Sequence, residues 1–146
     1  MKEDVQKLRV ETGAGVMECK RALEDAKGGF EKAAELIRAR GLEKAAAKKS
    51  RATGAGLLEA YIHQNRVGVL LDVHAETDFV VRSEPFRNLA HELAMQIAAM
   101  DPKDPAALLT QPYIKDSAMT VETLVKGVVA RVGENITVER FVRYEL

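Results

Sequence analysis

The chain has 146 residues, 47% of them apolar and 5% aromatic, with no Trp and a formal net charge of zero. That is enough apolar matter for a packed core, which argues against wholesale disorder. Scarce aromatics argue against a stacking platform for single-stranded nucleic acid, and zero net charge argues against a polyanion binder.

The charge is nonetheless uneven: residues 1–54 carry 13 Lys/Arg against 9 Asp/Glu, and the remainder carries 9 against 13. The single cysteine, Cys19, rules out an intrachain disulfide and fits a reducing cytoplasm. The start, Met1-Lys2-Glu3-Asp4-Val5, has no apolar signal core, and no run approaches the ~18 apolar residues of a membrane span.

Residues 1–41 read as three short helices. Val5 and Leu8 belong to the first, which ends at the turn Thr12-Gly13-Ala14-Gly15, where glycine allows positive φ. Val16, Cys19, Leu23 and Ala26 recur at helical spacing until Gly28-Gly29. Phe30, Ala33, Ala34 and Ile37 form a third stripe, which Gly41 is expected to stop. A unit of this size is marginal alone and suits a docking role. Residues 42–54, rich in Ala and Lys, read as a helical linker.

Residues 55–146 change character. Leu58, Ala60 and Ile62 alternate with Glu59, Tyr61 and His63, the pattern of a strand half-exposed on one face. Gln64-Asn65 is a hairpin turn candidate, and Val67, Val69, Leu71 and Val73 alternate in the next strand. That strand runs into Thr77-Asp78-Phe79-Val80. Ser83 is placed to cap a following helix, with Pro85 in its first turn and Phe86, Leu89, Ala90, Leu93, Ile97 and Met100 on one face. Asp101-Pro102 stops it, and the stretch to Pro112 reads as loop. Val121, Leu124, Val125, Val128 and Val132 mark another helix, ended at Gly133. Residues 136–144 read as a last strand whose alternation Arg140 spoils, leaving its buried face open. Helices followed by β-β-α-α-β predict an α+β fold, with a three-stranded antiparallel sheet and helices packed on one face. Such a sheet has two edges and one uncovered face, with room for a partner or a second copy.

Few residues point to chemistry. No phosphate-binding glycine loop is present; Gly13-Ala14-Gly15 follows no strand and reads as a helix–helix turn. His63, His74 and His91 lack ligand spacing, and His63 and His74 are expected to face solvent on the sheet. Ser50, Ser83 and Ser117 stand in no hydrolase context. Lys44, Lys48, Lys49 and Arg51 have the charge to touch RNA phosphates, but a solvated linker helix is the preferred reading. Cys19 sits on a buried stripe and reads as packing. Nothing supports an enzyme or a cofactor. At Thr77-Asp78-Phe79-Val80 two readings stay open: Thr77 caps a short helix and Phe79 packs inward, or Phe79 projects from an exposed corner into a partner.

Three stretches carry a resemblance. Leu8-Arg9-x-x-Thr12-Gly13-Ala14-Gly15-x-Met17-Glu18-Cys19-Lys20-x-Ala22-Leu23 resembles the N-terminal signature of the bacterial elongation factor Ts family. Glu76-Thr77-Asp78-Phe79-Val80 resembles its second signature, and Val132-Gly133-Glu134-Asn135-Ile136 its third. The resemblance implies a guanine nucleotide exchange factor for elongation factor Tu, a GTPase, in translation elongation. It implies a ubiquitin-associated-like N-terminal domain that docks on the GTPase through Leu8, Arg9, Thr12, Gly13, Val16 and Met17. His63, Gly133 and Glu134 match further interface positions. Thr77, Asp78, Phe79 and Val80 are implied in Mg2+ dislocation in the partner. Longer members have two similar core subdomains and a helical hairpin insertion, for which Met100 to Pro112 is too short. Short members pair two chains, so a homodimer through residues 55–146 is expected, in the cytoplasm, with no direct contact to nucleic acid or membrane. Ala75 stands where a Cys is common.

Overall fold

A computed structural model describes all 146 residues. The N-terminal helices are α1 (Lys2–Thr12), α2 (Val16–Asp25) and α3 (Phe30–Ala47). α1 ends at Gly13 in the left-handed conformation (φ 73°), whose N–H donates to the Arg9 carbonyl. Leu8, Cys19, Ala22, Leu23, Ala33, Ala34 and Ile37 close a small core among the three helices.

α3 does not stop at Gly41. It runs on for 18 residues, so the first part of the expected linker belongs to the same helix. Gly41 is there for contact: a Cβ at that position would stand 3.1 Å from the Ala130 Cβ of helix α7 (Val121–Val132). The missing side chain lets α3 and α7 approach closely, and Ala45, one turn on, is buried in the larger core. Only residues after Ala47 leave the helix, through a turn at 48–50 into the first strand.

The sheet has strands β1 (Ala55–His63), β2 (Val67–Ala75) and β5 (Thr137–Glu145), antiparallel in the order β1-β2-β5. Gln64 and Asn65 both take positive φ in the hairpin turn. Pairing of His63 with Val67 fixes the register, and it inverts the face suggested by composition. Val69, Leu71 and Val73 face the core, so Leu57, Glu59 and Tyr61 face inward beside them, and Leu58, Ala60 and Ile62 point out. In β5 the register slips between Asp72 and Val73, which pair with Arg140 and Val138. Glu139 is the extra residue of that bulge. It resets the alternation, so Val138 and Phe141 both pack on the core.

The inner face is covered by α5 (Glu84–Met100), whose Phe86, Leu89, Leu93 and Ile97 are buried in one core with Leu71 and Val73; α7 packs on α5 and α3 and adds Val121, Val125 and Val129 to that core. Ser83 occupies the N-cap position of α5, but its hydroxyl donates to the Val80 carbonyl (2.6 Å) instead of capping. The expected loop before Pro112 contains a short helix, α6 (Pro105–Thr110). The Asp104 carboxylate caps it, accepting from the Ala107 N–H (2.7 Å). A small hairpin follows, β3 (Pro112–Tyr113) and β4 (Asp116–Thr120). Buried Gln96 secures this excursion, donating to the Gln111 side chain and the Pro112 carbonyl and accepting from the Ile114 N–H. With the four-residue α4 (Asp78–Val81) there are seven helices, and the fold is α+β as expected. No helix is long and apolar enough to cross a membrane.

Candidate functional site

β2 delivers the chain to the corner. Ala75 is still buried, and Thr77 is the N-cap of α4. Its hydroxyl accepts a long hydrogen bond from the Val80 N–H (3.4 Å). One helical turn then separates the side chains by direction. Val80 and Val81 sink into the core, while Phe79 is 85% exposed. Cap and projecting Phe are therefore not alternatives: Thr77 caps, and Phe79 points outward. Asp78 is exposed in the first turn.

The third motif lies directly behind this corner. Gly133 ends α7 in the left-handed conformation (φ 78°), which turns the chain sharply after Val132. Glu134 then meets Thr77. One carboxylate oxygen accepts the Thr77 backbone N–H (2.9 Å) and the other accepts its hydroxyl (2.8 Å). The Asn135 N–H donates to the Glu76 carboxylate (2.6 Å), and its side-chain amide donates to the carbonyls of Lys49 (3.2 Å) and Arg51 (2.8 Å). Arg51 pairs with Glu76 at 3.7 Å, and Lys44 pairs with Glu18 at 3.2 Å, so two of the four basic residues in this run are engaged within the chain.

The residues singled out in α1 and α2 divide. Leu8 is fully buried in the three-helix core and packs there; its side chain cannot reach a partner in this conformation. Thr12 shapes the turn, donating to the Leu8 carbonyl (2.6 Å) and accepting from the Ala14 N–H. Arg9, Gly13, Val16 and Met17 are on the surface. Val10 is exposed too; it lies off the apolar stripe, and an apolar residue opposite a helix's buried face is the signal that marks it. Cys19 is buried, and burial pushes its thiol up, consistent with packing.

The outer face of the sheet is the other unusual surface. Leu58 and Ile62 are each more than 60% exposed, and Tyr144 is 74% exposed. Register aligns Ala60, Leu70 and Val142 across the sheet, and Ile62, Gly68 and Tyr144 beside them. His63, at the end of β1, is exposed and shares a hydrogen bond with the Tyr61 hydroxyl (2.9 Å).

His74 lies on the outer side of the sheet, as expected, but it is half-buried and tied down there. Its ring nitrogens stand 3.0 Å from the Thr53 carbonyl and 2.7 Å from the Asp72 carboxylate, which also accepts from Arg140. Both neighbours only accept, so this pair of contacts favours the ring with a proton on each nitrogen. Burial alone would lower its pKa. The bonds to Thr53 and Asp72, with Glu139 nearby, outweigh burial and raise it above 6.5. A raised folded pKa stabilises the fold fully below the unfolded value and loses that contribution as pH rises through the folded value. Urea midpoints of wild type and His74→Gln, compared across that range, should show a downward slope with pH that the variant lacks; parallel curves would contradict the assignment.

Comparison with known proteins places this arrangement. The family described as Elongation factor TS matches residues 3–103 and 76–146. The chloroplastic elongation factor Ts of Cyanidioschyzon merolae is 40% identical over 195 residues, covering 100% of this chain and 93% of the relative. The elongation factor Ts of Moorella thermoacetica is 39% identical over 189 residues, covering 98% and 93%. That of Coprothermobacter proteolyticus is 38% identical over 188, covering 97% and 95%. The first alignment spans 195 positions against 146 residues here, so at least 49 have no counterpart in this chain. All three motifs fall within the matched residues, and the chain belongs to the elongation factor Ts family.

Proposed function

We propose that this chain is a guanine nucleotide exchange factor: it binds elongation factor Tu·GDP and promotes GDP release by disturbing the Mg2+ and phosphate site, in translation elongation. The observation that supports this most is Phe79, a large apolar side chain standing almost wholly in solvent on a corner held by Glu134. An exposed Phe on a mobile loop gains little on binding, because ordering it costs entropy; one already fixed keeps more of its burial energy.

A factor that binds the empty GTPase more tightly than the loaded one weakens nucleotide affinity by the same ratio. In this reading Phe79 wedges into an apolar pocket near the metal side, and Asp78 competes for the groups that hold the metal's water shell. Thr77 and Val80 anchor the turn. No covalent step is asked of the chain, so it is not an enzyme and needs no cofactor of its own. The three-helix unit, ubiquitin-associated-like, docks on the GTPase domain with Arg9, Val16 and Met17 as its exposed contacts, while His63 and Gly133 lie at the margin. The bare apolar sheet face pairs with a second copy, making a cytoplasmic homodimer. Neither nucleic acid nor membrane is contacted directly.

Release of fluorescent GDP from elongation factor Tu, measured with and without Mg2+, tests the exchange reading. Acceleration by the wild-type chain is expected, and smaller acceleration once Mg2+ is withdrawn. Binding with unchanged GDP release would make the chain a plain docking module instead. Sedimentation equilibrium tests the pairing against the 16.0 kDa chain mass.

A further inference from the structure

We propose that Glu134 is a positioning residue for the Phe79 corner and acts through Thr77, within the chain, not by touching the GTPase. This rests on the exchange reading. It also gives the third motif a task different from the interface role its resemblance implies.

The geometry is specific. Both carboxylate oxygens of Glu134 are used, and both donors belong to one residue, Thr77, whose N–H and hydroxyl lie at 2.9 and 2.8 Å. Thr77 is the N-cap of a helix of only four residues, and its remaining side-chain contact is the long bond from the Val80 N–H. A single turn has little stability of its own. Val80 and Val81 anchor its inner side, and the Ser83 hydroxyl bonds the Val80 carbonyl at its far end, so the Thr77 end is the one that still needs a hold. Glu134 supplies the second point of attachment. Its own position is set by the left-handed turn at Gly133 and by Asn135, whose N–H bonds to Glu76, the residue before Thr77. The Asn135 side chain also holds the carbonyls of Lys49 and Arg51, so one short segment fixes both the corner and the turn after α3. A wedge must arrive in a fixed orientation, and displacement by about 1 Å is enough to spoil such an arrangement.

The test is GDP release from the GTPase partner driven by the full-length chain, comparing Glu134→Ala, Glu134→Gln, Phe79→Ala and the double variant Phe79→Ala/Glu134→Ala. Glu134→Ala should lower the maximal release rate by about tenfold, the loss expected for two hydrogen bonds, with the half-saturating concentration little changed. Glu134→Gln should keep most of the acceleration. Its amide oxygen still accepts the Thr77 N–H, and its NH2 donates to the hydroxyl, which turns to accept. The double variant should be no slower than Phe79→Ala, because there is then no wedge to aim.

If Glu134→Gln fails as badly as Glu134→Ala, the charge is meeting the partner directly and the inference is overturned. Multiplied losses in the double variant overturn it equally. If the wild type does not accelerate release, the exchange reading has failed; if it does, and either Phe79→Ala has no effect or Phe79→Ala is slow and Glu134→Ala is not, this inference alone has failed. Should Glu134→Ala melt early, amide exchange in folded Glu134→Gln and wild type supplies the readout. The Thr77 N–H should be protected in both, and an unprotected Thr77 in the wild type would also overturn the proposal.

Discussion

Phe79→Ala is expected to cut the acceleration of GDP release by roughly ten- to a hundredfold while leaving the thermal midpoint of the chain unchanged. The first half follows from burial. A Phe that moves from solvent into an apolar pocket contributes about 1.5–3 kcal/mol, and that contribution vanishes with the ring. The second half follows from the free chain, where the ring is 85% exposed and packs on almost nothing. Removing it should relieve an exposed apolar patch and cost the fold nothing. The pairing of outcomes is the diagnostic. Loss of both exchange and stability would mean that Phe79 is a core residue after all. Loss of neither would remove the wedge from the mechanism. Stopped-flow release of fluorescent GDP beside a thermal melt decides between them.

Phe86→Ala is expected to do the reverse. Phe86 lies seven residues further on and is fully buried among α5, α7 and the sheet. Truncating a buried Phe typically costs about 3–5 kcal/mol, from lost transfer energy and from the cavity left behind. Against a total of about 5–15 kcal/mol for a domain, that is enough to leave the variant barely folded at moderate temperature. Urea unfolding at matched protein concentration should show a much lower midpoint; equal concentrations matter because any pairing of chains adds to apparent stability. A loss below about 1 kcal/mol would show that the pocket collapses around the gap.

These two phenylalanines also show how far the sequence could be read. Phe86 sits on a helical stripe with Leu89, Leu93 and Ile97, and periodicity alone assigns it inward. Phe79 sits on a four-residue turn, too short to have a period, and its direction depends on which neighbours enter the core. The three N-terminal helices, the hairpin and α7 were legible because turn chemistry and spacing agreed there. Gly41 misled because a glycine that allows two helices to touch looks the same in sequence as one that ends a helix. The face of β1 was hidden because the hairpin register, not composition, sets it. Arg140 spoiled the last strand's pattern because a bulge had shifted it by one residue. α6 and the small hairpin are too short and too rich in proline to carry a signal. The motif marks Leu8 as a contact, but a motif match does not distinguish a residue that packs from one that touches a partner, and Leu8 is fully buried. Glu134 and Thr77 are 57 residues apart, and no local pattern could join them.

The unbroken course of α3 has a consequence for affinity. Ile37 belongs to the small core and Ala45 to the large one, so a single helix of about 1.5 Å rise per residue joins them within about 12 Å. A flexible tether would let the two halves search independently, and closing it on a target would cost loop entropy. A rigid strut has met that cost during folding. Once the N-terminal helices engage a surface, the corner bearing Phe79 is presented at high effective concentration and from one direction only.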